Sequence, residues 1–161
     1  MVENLSAGVD AFTSNAFLVP GERTVLVDAG ANYDVGSRIE ERTGGLDAVV
    51  LTHTHTDHVG NLDDVKSAFD VDAWGFDAGQ PGVDHELGDE DEIRMGDDTY
   101  TVLHTPGHKN DHVCLLSETT LFAGDLVFAN GGFGRTDLEE GDRPTLVESI
   151  ERLESRAAGG L

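Results

Sequence analysis

The residues best suited to chemistry lie in one short run, Thr52-His53-Thr54-His55-Thr56-Asp57-His58. An apolar stretch at residues 46–51 leads into it and reads as a buried strand. In an extended segment alternate side chains share a face, so His53 and His55 point the same way. Asp57 and His58 follow the strand's end, where the chain can turn and aim them at a second point. Three imidazoles and a carboxylate at this spacing suit borderline metals such as zinc, iron or manganese. The bland alternative is a histidine-rich surface loop. Histidines this dense at a strand end favour ligation.

Such a site needs elements to hold it. Residues 12–19 and 24–27 read as two strands joined by a turn at Pro20-Gly21-Glu22-Arg23. The second ends in Asp28-Ala29-Gly30, a carboxylate at a strand tip. Asp34 caps a helix running to about Arg42, which Gly44-Gly45 stops. After the histidine run, Asn61 opens a helix with Leu62, Val65 and Phe69 on one face, and residues 71–74 form a further strand. Residues 75–92 are acidic and weakly patterned, which predicts loop. Two hairpins follow. The first, residues 93–103, leads to His104-Thr105-Pro106-Gly107-His108, and the second, residues 112–123, leads to Gly124-Asp125. Pro144 begins a last helix with Leu146, Ile150, Leu153 and Ala157 at helical spacing. Polar, glycine-associated turns at Asp28, His53–His58, His108 and Asp125 thus converge on one edge.

Composition narrows the partners. The 161 residues carry 32 Asp and Glu against 10 Lys and Arg, a formal charge of -22. The acids are dispersed among normal apolar strands, which argues against disorder and for a solvated acidic surface suited to concentrated salt. The composition looks like that of proteins from salt-loving archaea. With no basic patch to meet phosphates, nucleic acid is excluded as a partner. A single cysteine, Cys114, excludes an internal disulfide. No leader opens the sequence and no apolar run approaches membrane-spanning length, so no membrane partner and a cytoplasmic setting are expected. The length fits one domain over residues 1–161.

Taken together, His53-x-His55-x-Asp57-His58, Thr105-Pro106-Gly107-His108, Phe122-Ala123-Gly124-Asp125 and the early Val25-Leu26-Val27-Asp28-Ala29-Gly30 resemble the motifs of the metallo-β-lactamase fold superfamily. The resemblance runs from about Phe12 to the last residue. It implies an α/β fold, an αββα sandwich of two mixed sheets with outer helices and the metals at one edge. Gly134-Arg135-Thr136-Asp137-Leu138, followed by Gly141-Asp142, looks like the glyoxalase II branch, meaning hydroxyacylglutathione hydrolases and persulfide dioxygenases. Carried over residue by residue, His53, His55 and His108 would bind a first metal. Asp57 and His58 would bind a second, Asp125 would bridge the two, and Asp28 would buttress the imidazoles.

The sequence also departs from the family. No histidine follows His112, where the family places a fifth motif on a late strand, so the fold is expected to be C-terminally shortened. Lys109-Asn110-Asp111 stands where relatives carry a small hydroxyl residue and a glycine.

The implied activity is metal-dependent hydrolysis of a thioester of a small thiol by metal-activated hydroxide, with two zinc ions and Asp57 as the catalytic carboxylate. One alternative is persulfide oxidation on a single Fe(II), or one Mn, with iron held by His53, His108 and Asp125. Another is a shortened paralogue that binds metal without turnover. His112 and Arg135 are candidate substrate-side groups, Arg135 having Asp137 as its alternative partner. Cys114 reads as an inert small hydrophobe, His85 and His104 as surface residues, and Phe128 and Phe133 as core or cleft walls.

Overall fold

The apolar pattern of each strand decides which layer it joins. The computed structural model describes residues 1–128 and 132–160, with side chains described to residue 157. A six-stranded sheet takes the order β1 (Glu3–Asn4), β2 (Phe17–Val19), β3 (Val25–Val27), β4 (Ala48–Val50), β5 (Ala73–Gly75), β6 (His85–Glu86). β1 to β3 pair antiparallel, and β3 to β6 run parallel. β7 (Glu92–Met95), β8 (Asp98–His104), β9 (Val113–Leu116) and β10 (Leu121–Phe122) make a second sheet. Its pairings are all antiparallel, so only the first sheet is mixed.

Side chains alternate across each strand, and the cores follow that alternation. Leu26 and Val49 face outward onto α1 (Val35–Arg42) and α3 (Leu62–Phe69), packing on Ile39 and Val65. Val25, Val27, Ala48 and Val50 face inward and meet Val102, Val113 and Leu115 of the second sheet. Leu103, Cys114 and Leu116, on that sheet's far side, pack beneath Leu146 and Leu153 of α4 (Arg143–Gly160). The layers are therefore helices, sheet, sheet, helix. Central strands buried on both faces need the near-continuous apolar runs that β3 and β4 have.

The structure adds two short edge strands that the pattern did not show, β1 and β6, the latter inside the expected loop. The first expected strand begins only at Phe17, because Thr13 and Ser14 spend their polar groups elsewhere: Ser14 N–H donates to Asp57 O and Thr13 Oγ1 accepts from Ala31 N–H. Asp34 caps α1 as expected, accepting from Ser37 N–H at 3.0 Å. Among the described residues no strand follows β10. Among the described residues no helix is long and apolar enough to cross a membrane.

β3 and β4 are parallel, so Asp28 and the histidine run emerge at the same edge. The turns after β8 and β10 reach that edge from the facing sheet. Gly107, at φ +128, lets the first of these turns press against α4, since a Cβ there would lie 2.4 Å from the Leu146 backbone.

Candidate metal centre

The histidine run leaves β4 through Leu51 and turns into a one-turn helix, α2 (Thr56–Val59), with His55 before it in extended geometry. His53 and His55 therefore project from extended chain, and Asp57 and His58 from the helix. Ligand atoms of His53, His55, His108 and Asp125 all lie within 4.8 Å of one another, as do those of Asp57, His58 and Asp125. The structure thus brings together all six side chains expected to bind metal, with Asp125 common to both groups. The first group offers four ligands and the second three.

The outer partners fix which ring nitrogen faces inward. His58 Nδ1 lies 2.9 Å from Asp28 Oδ2, and a carboxylate can only accept, so Nδ1 carries the proton. Thr52 Oγ1 gives its one proton to Asp28 Oδ2 at 2.7 Å, so it accepts from His53 Nδ1–H at 3.1 Å. His108 Nδ1–H donates to the Arg135 carbonyl at 2.8 Å. In its neutral form each of the three rings therefore presents a bare Nε2. These nitrogens surround Asp125 Oδ2 at 3.5 Å (His53), 3.2 Å (His58) and 3.3 Å (His108). His55 is turned the other way, with Nδ1 3.0 Å from His108 Nε2.

Lone pairs converging on a carboxylate oxygen repel unless a cation or extra protons separate them. His53 Nε2 is buried with no hydrogen-bond partner among the described residues, an orphan a metal would satisfy. The donor set fits the group that the fold implies: imidazoles and carboxylates for a zinc, iron or manganese ion.

Electrostatics of the metal-free chain show the same strain. Burial drives His53 down to about 3. Burial also opposes charge on His58, but Asp28 and Asp125 outweigh it and raise that ring to about 10. Asp125 would be raised by burial, yet the His108, His53 and His58 rings hold it far below the usual carboxylate range.

The signs give a pH profile. Below about 6.5 an unfolded chain takes up a proton that folded His53 refuses until about 3, so stability falls on acidification, and loss of the Asp125 contribution adds to it. Folded His58 keeps a proton that the unfolded chain releases above about 6.5, so its contribution is complete below that pH and lost as pH rises through about 10. Chelator-treated protein in concentrated salt, which screens the -22 charge, is expected to melt highest near neutrality. Melting temperatures rising steadily from pH 5 to 9 would contradict this assignment.

Two expectations need correction. His112 is not substrate-side: it is fully buried behind the centre, with Nε2 accepting from Asp125 N–H and Nδ1 against Thr105 Oγ1. Arg135 spends its guanidinium on Asp137, two bonds of 2.7 Å, and it is its backbone carbonyl that reaches the site. Gly134 makes that approach possible, since a Cβ there would lie 2.0 Å from Asp125 O. Thr52 and the Arg135 carbonyl escaped the sequence reading because a backbone oxygen carries no residue-type signal and a threonine is ordinary at a strand end. His104 stacks on Phe76 and His85 pairs with Asp72, and neither belongs to the two groups of candidate ligands. A cleft of about 430 Å³ opens beside His58 and Asp125, walled by Phe17, Phe122, Val127 and Phe128. Phe133 lies instead in a neighbouring hollow, under Arg143.

Comparison with known proteins agrees with this geometry. The hydroxyacylglutathione hydrolase of Klebsiella pneumoniae is 33% identical over 150 residues, covering 90% of this chain and 59% of that protein. The chain thus spans little more than half the length of the curated relatives it matches. Among solved structures, BLEG-1 B3 metallo-beta-lactamase superposes with a TM-score of 0.80 at 28% identity, covering 94% of this chain and 84% of that one. ETHE1 from Myxococcus xanthus gives 0.77 at 27%, covering 88% and 65%. TTHA1623, solved in a di-iron-bound form, gives 0.77 at 29%, covering 91% and 84%. The sequence model of the metallo-beta-lactamase superfamily matches residues 9–81 and 76–159, nearly the whole sequence, and the chain belongs to that superfamily.

Proposed function

We propose that this chain, read as one domain, is a two-ion hydrolase of the glyoxalase II type that cleaves a thioester of a small thiol. The observation that supports it is the pair of ligand groups sharing Asp125, each with a ring oriented from outside through Asp28. Divalent ions held there would bring the pKa of bound water from about 15.7 toward 7 and draw charge from a carbonyl oxygen.

The chain's own residues do the rest. His53, His55, His108 and Asp125 would hold one ion, and Asp57, His58 and Asp125 the other. Asp57 is partly exposed, with Oδ2 3.6 Å from His58 Nε2, and is the carboxylate placed to take a proton from water at the mouth of the centre. The Phe17, Phe122, Val127 and Phe128 wall keeps one side of the approach apolar, which favours an uncharged acyl group. A thiolate leaves without strong acid help, which suits a site whose proton-accepting carboxylate is Asp57.

The zinc assignment and the cytoplasmic setting belong to the same proposal, the latter supported by one buried, unpaired Cys114. The persulfide-dioxygenase reading would use His53, His108 and Asp125 alone. It leaves the Asp28-oriented His58 without a task.

The test loads purified chain in high-salt buffer with zinc, manganese or ferrous iron. Metal per chain is measured, and thiol release is followed from a panel of acyl thioesters. About two ions per chain with turnover is expected, and Asp57→Asn, which removes a ligand of the second group, should reduce kcat and weaken the second ion while leaving the first in place. A single iron with oxygen uptake from a persulfide and no thiol release would overturn it.

A further inference from the structure

Three fully buried residues beneath the centre belong to neither ligand group: Thr105, His112 and Cys114. They join the two ends of the turn that carries Asp125. The Asp125 backbone N–H meets His112 Nε2 at 3.1 Å. The other ring nitrogen, Nδ1, lies 2.8 Å from Thr105 Oγ1. Thr105 Oγ1 lies 3.4 Å from Cys114 Sγ, which lies 3.7 Å from the Ala123 carbonyl oxygen.

The two ends fix the direction of every link. A backbone N–H can only donate and a carbonyl can only accept. His112 Nε2 must therefore be bare, and Nδ1 donates to Thr105. The Thr105 hydroxyl then donates to Cys114, and the thiol donates to Ala123 O. Each proton is used once. Burial pushes the Cys114 thiol up to about 12, so its proton is retained.

The turn itself has little room. Gly124 sits at φ +54, and a Cβ there would lie 2.6 Å from His112 Nε2 and 2.9 Å from the Thr52 side chain. The His53 ring packs directly on His112, their centroids 4.9 Å apart.

We propose that His112, set by Thr105 and Cys114, is a positioning residue that clamps the 123–125 turn so that Asp125 is presented to both ligand groups. The hydrogen-bond chain stands on the geometry alone, and its consequence for metal rests on the two-ion reading. Asp125 is the one side chain common to both groups, so a shift of its turn is felt by both. Cys114 is then not inert: it closes the chain.

Thr105→Val and Thr105→Ser separate this role from packing. Valine keeps the shape and loses the hydroxyl, and serine keeps the hydroxyl and loses a methyl. In Thr105→Val the His112 Nδ1–H loses its acceptor. The Asp125 amide should then exchange hydrogen about tenfold faster, and zinc should bind about 10-fold or more weakly, as when a metal site loses an outer partner. Thr105→Ser should stay near wild type in both. Serine worse than valine, or valine matching wild type, would overturn the proposal.

Nitrogen NMR of labelled histidine in the wild-type chain is the second measurement. It should show His112 protonated at Nδ1 and bare at Nε2, and the reverse tautomer would also overturn it. A wild-type chain that binds no metal would end the two-ion reading, while exchange and tautomer would still decide on His112.

Discussion

Asp125→Asn is expected to lower the proposed thioester turnover by more than about 100-fold, beyond what loss of an outer partner costs a metal site, and to weaken metal at both groups together. Asn has the shape of Asp, so the turn after β10 should survive. What changes is the oxygen at 3.2–3.5 Å from the Nε2 atoms of His58, His108 and His53. A carboxylate there adds charge to the attraction for a cation shared between the groups. An amide offers one neutral oxygen, and its NH₂ group can donate to a bare ring nitrogen and satisfy it without any ion.

His55→Ala is the control, because it removes a ligand from the first group and leaves Asp57, His58 and Asp125 intact. Titration with zinc should show Asp125→Asn weakened at every site and His55→Ala weakened at one. One ion bound to Asp125→Asn with wild-type affinity would remove Asp125 as the shared ligand.

The clustering of the candidate ligands was legible because their spacing is local. Alternation places His53 and His55 together, and the end of β4 frees Asp57 and His58 to turn. Asp28, His108 and Asp125 were singled out by their motifs at strand ends, whereas the layers came from the resemblance to the superfamily, with the apolar runs of β3, β4 and β9 giving only strands. Less could be read where the determinant is not a residue type. β1 and β6 are two-residue edges, too short for any alternation to show. His112 was misjudged because proximity in sequence to His108 cannot distinguish the mouth of a site from its floor. Arg135 was noticed for its guanidinium, whereas its carbonyl does the orienting. The Gly134-Arg135-Thr136-Asp137 run has a physical reason beyond making a turn: only glycine lets the chain pass Asp125 closely enough for that carbonyl to reach His108.

Asp28→Asn is expected to weaken metal binding by about 10–100-fold with the fold retained, although Asp28 touches no metal. The backbone tolerates the change, since Asp28 sits at φ 60 and asparagine accepts the left-handed region about as well as aspartate. The difficulty lies in counting donors. Asp28 accepts from Thr52 N–H at 2.9 Å, from Thr52 Oγ1 at 2.7 Å and from His58 Nδ1 at 2.9 Å, and it is 4% exposed, so water cannot substitute.

An amide has one oxygen for these three donors. Turned toward His58 and the Thr52 hydroxyl, it sets its NH₂ against Thr52 N–H, a buried clash of donors. Turned the other way, its NH₂ faces His58 Nδ1 and drives that ring's proton to Nε2, where the metal should bind. The Thr52 hydroxyl, without its acceptor, then donates to His53 Nδ1 and drives that proton to Nε2 as well. One substitution thus misorients a ring in each group. Histidine nitrogen spectra of Asp28→Asn should show His53 and His58 protonated at Nε2, alongside the loss of affinity. Wild-type affinity with both rings still protonated at Nδ1 would refute the argument. The metal-free chain supplies an independent check: burial already disfavours charge on His58, and Asp28 is the largest influence raising it, so the alkaline loss of stability should shrink when that carboxylate is gone.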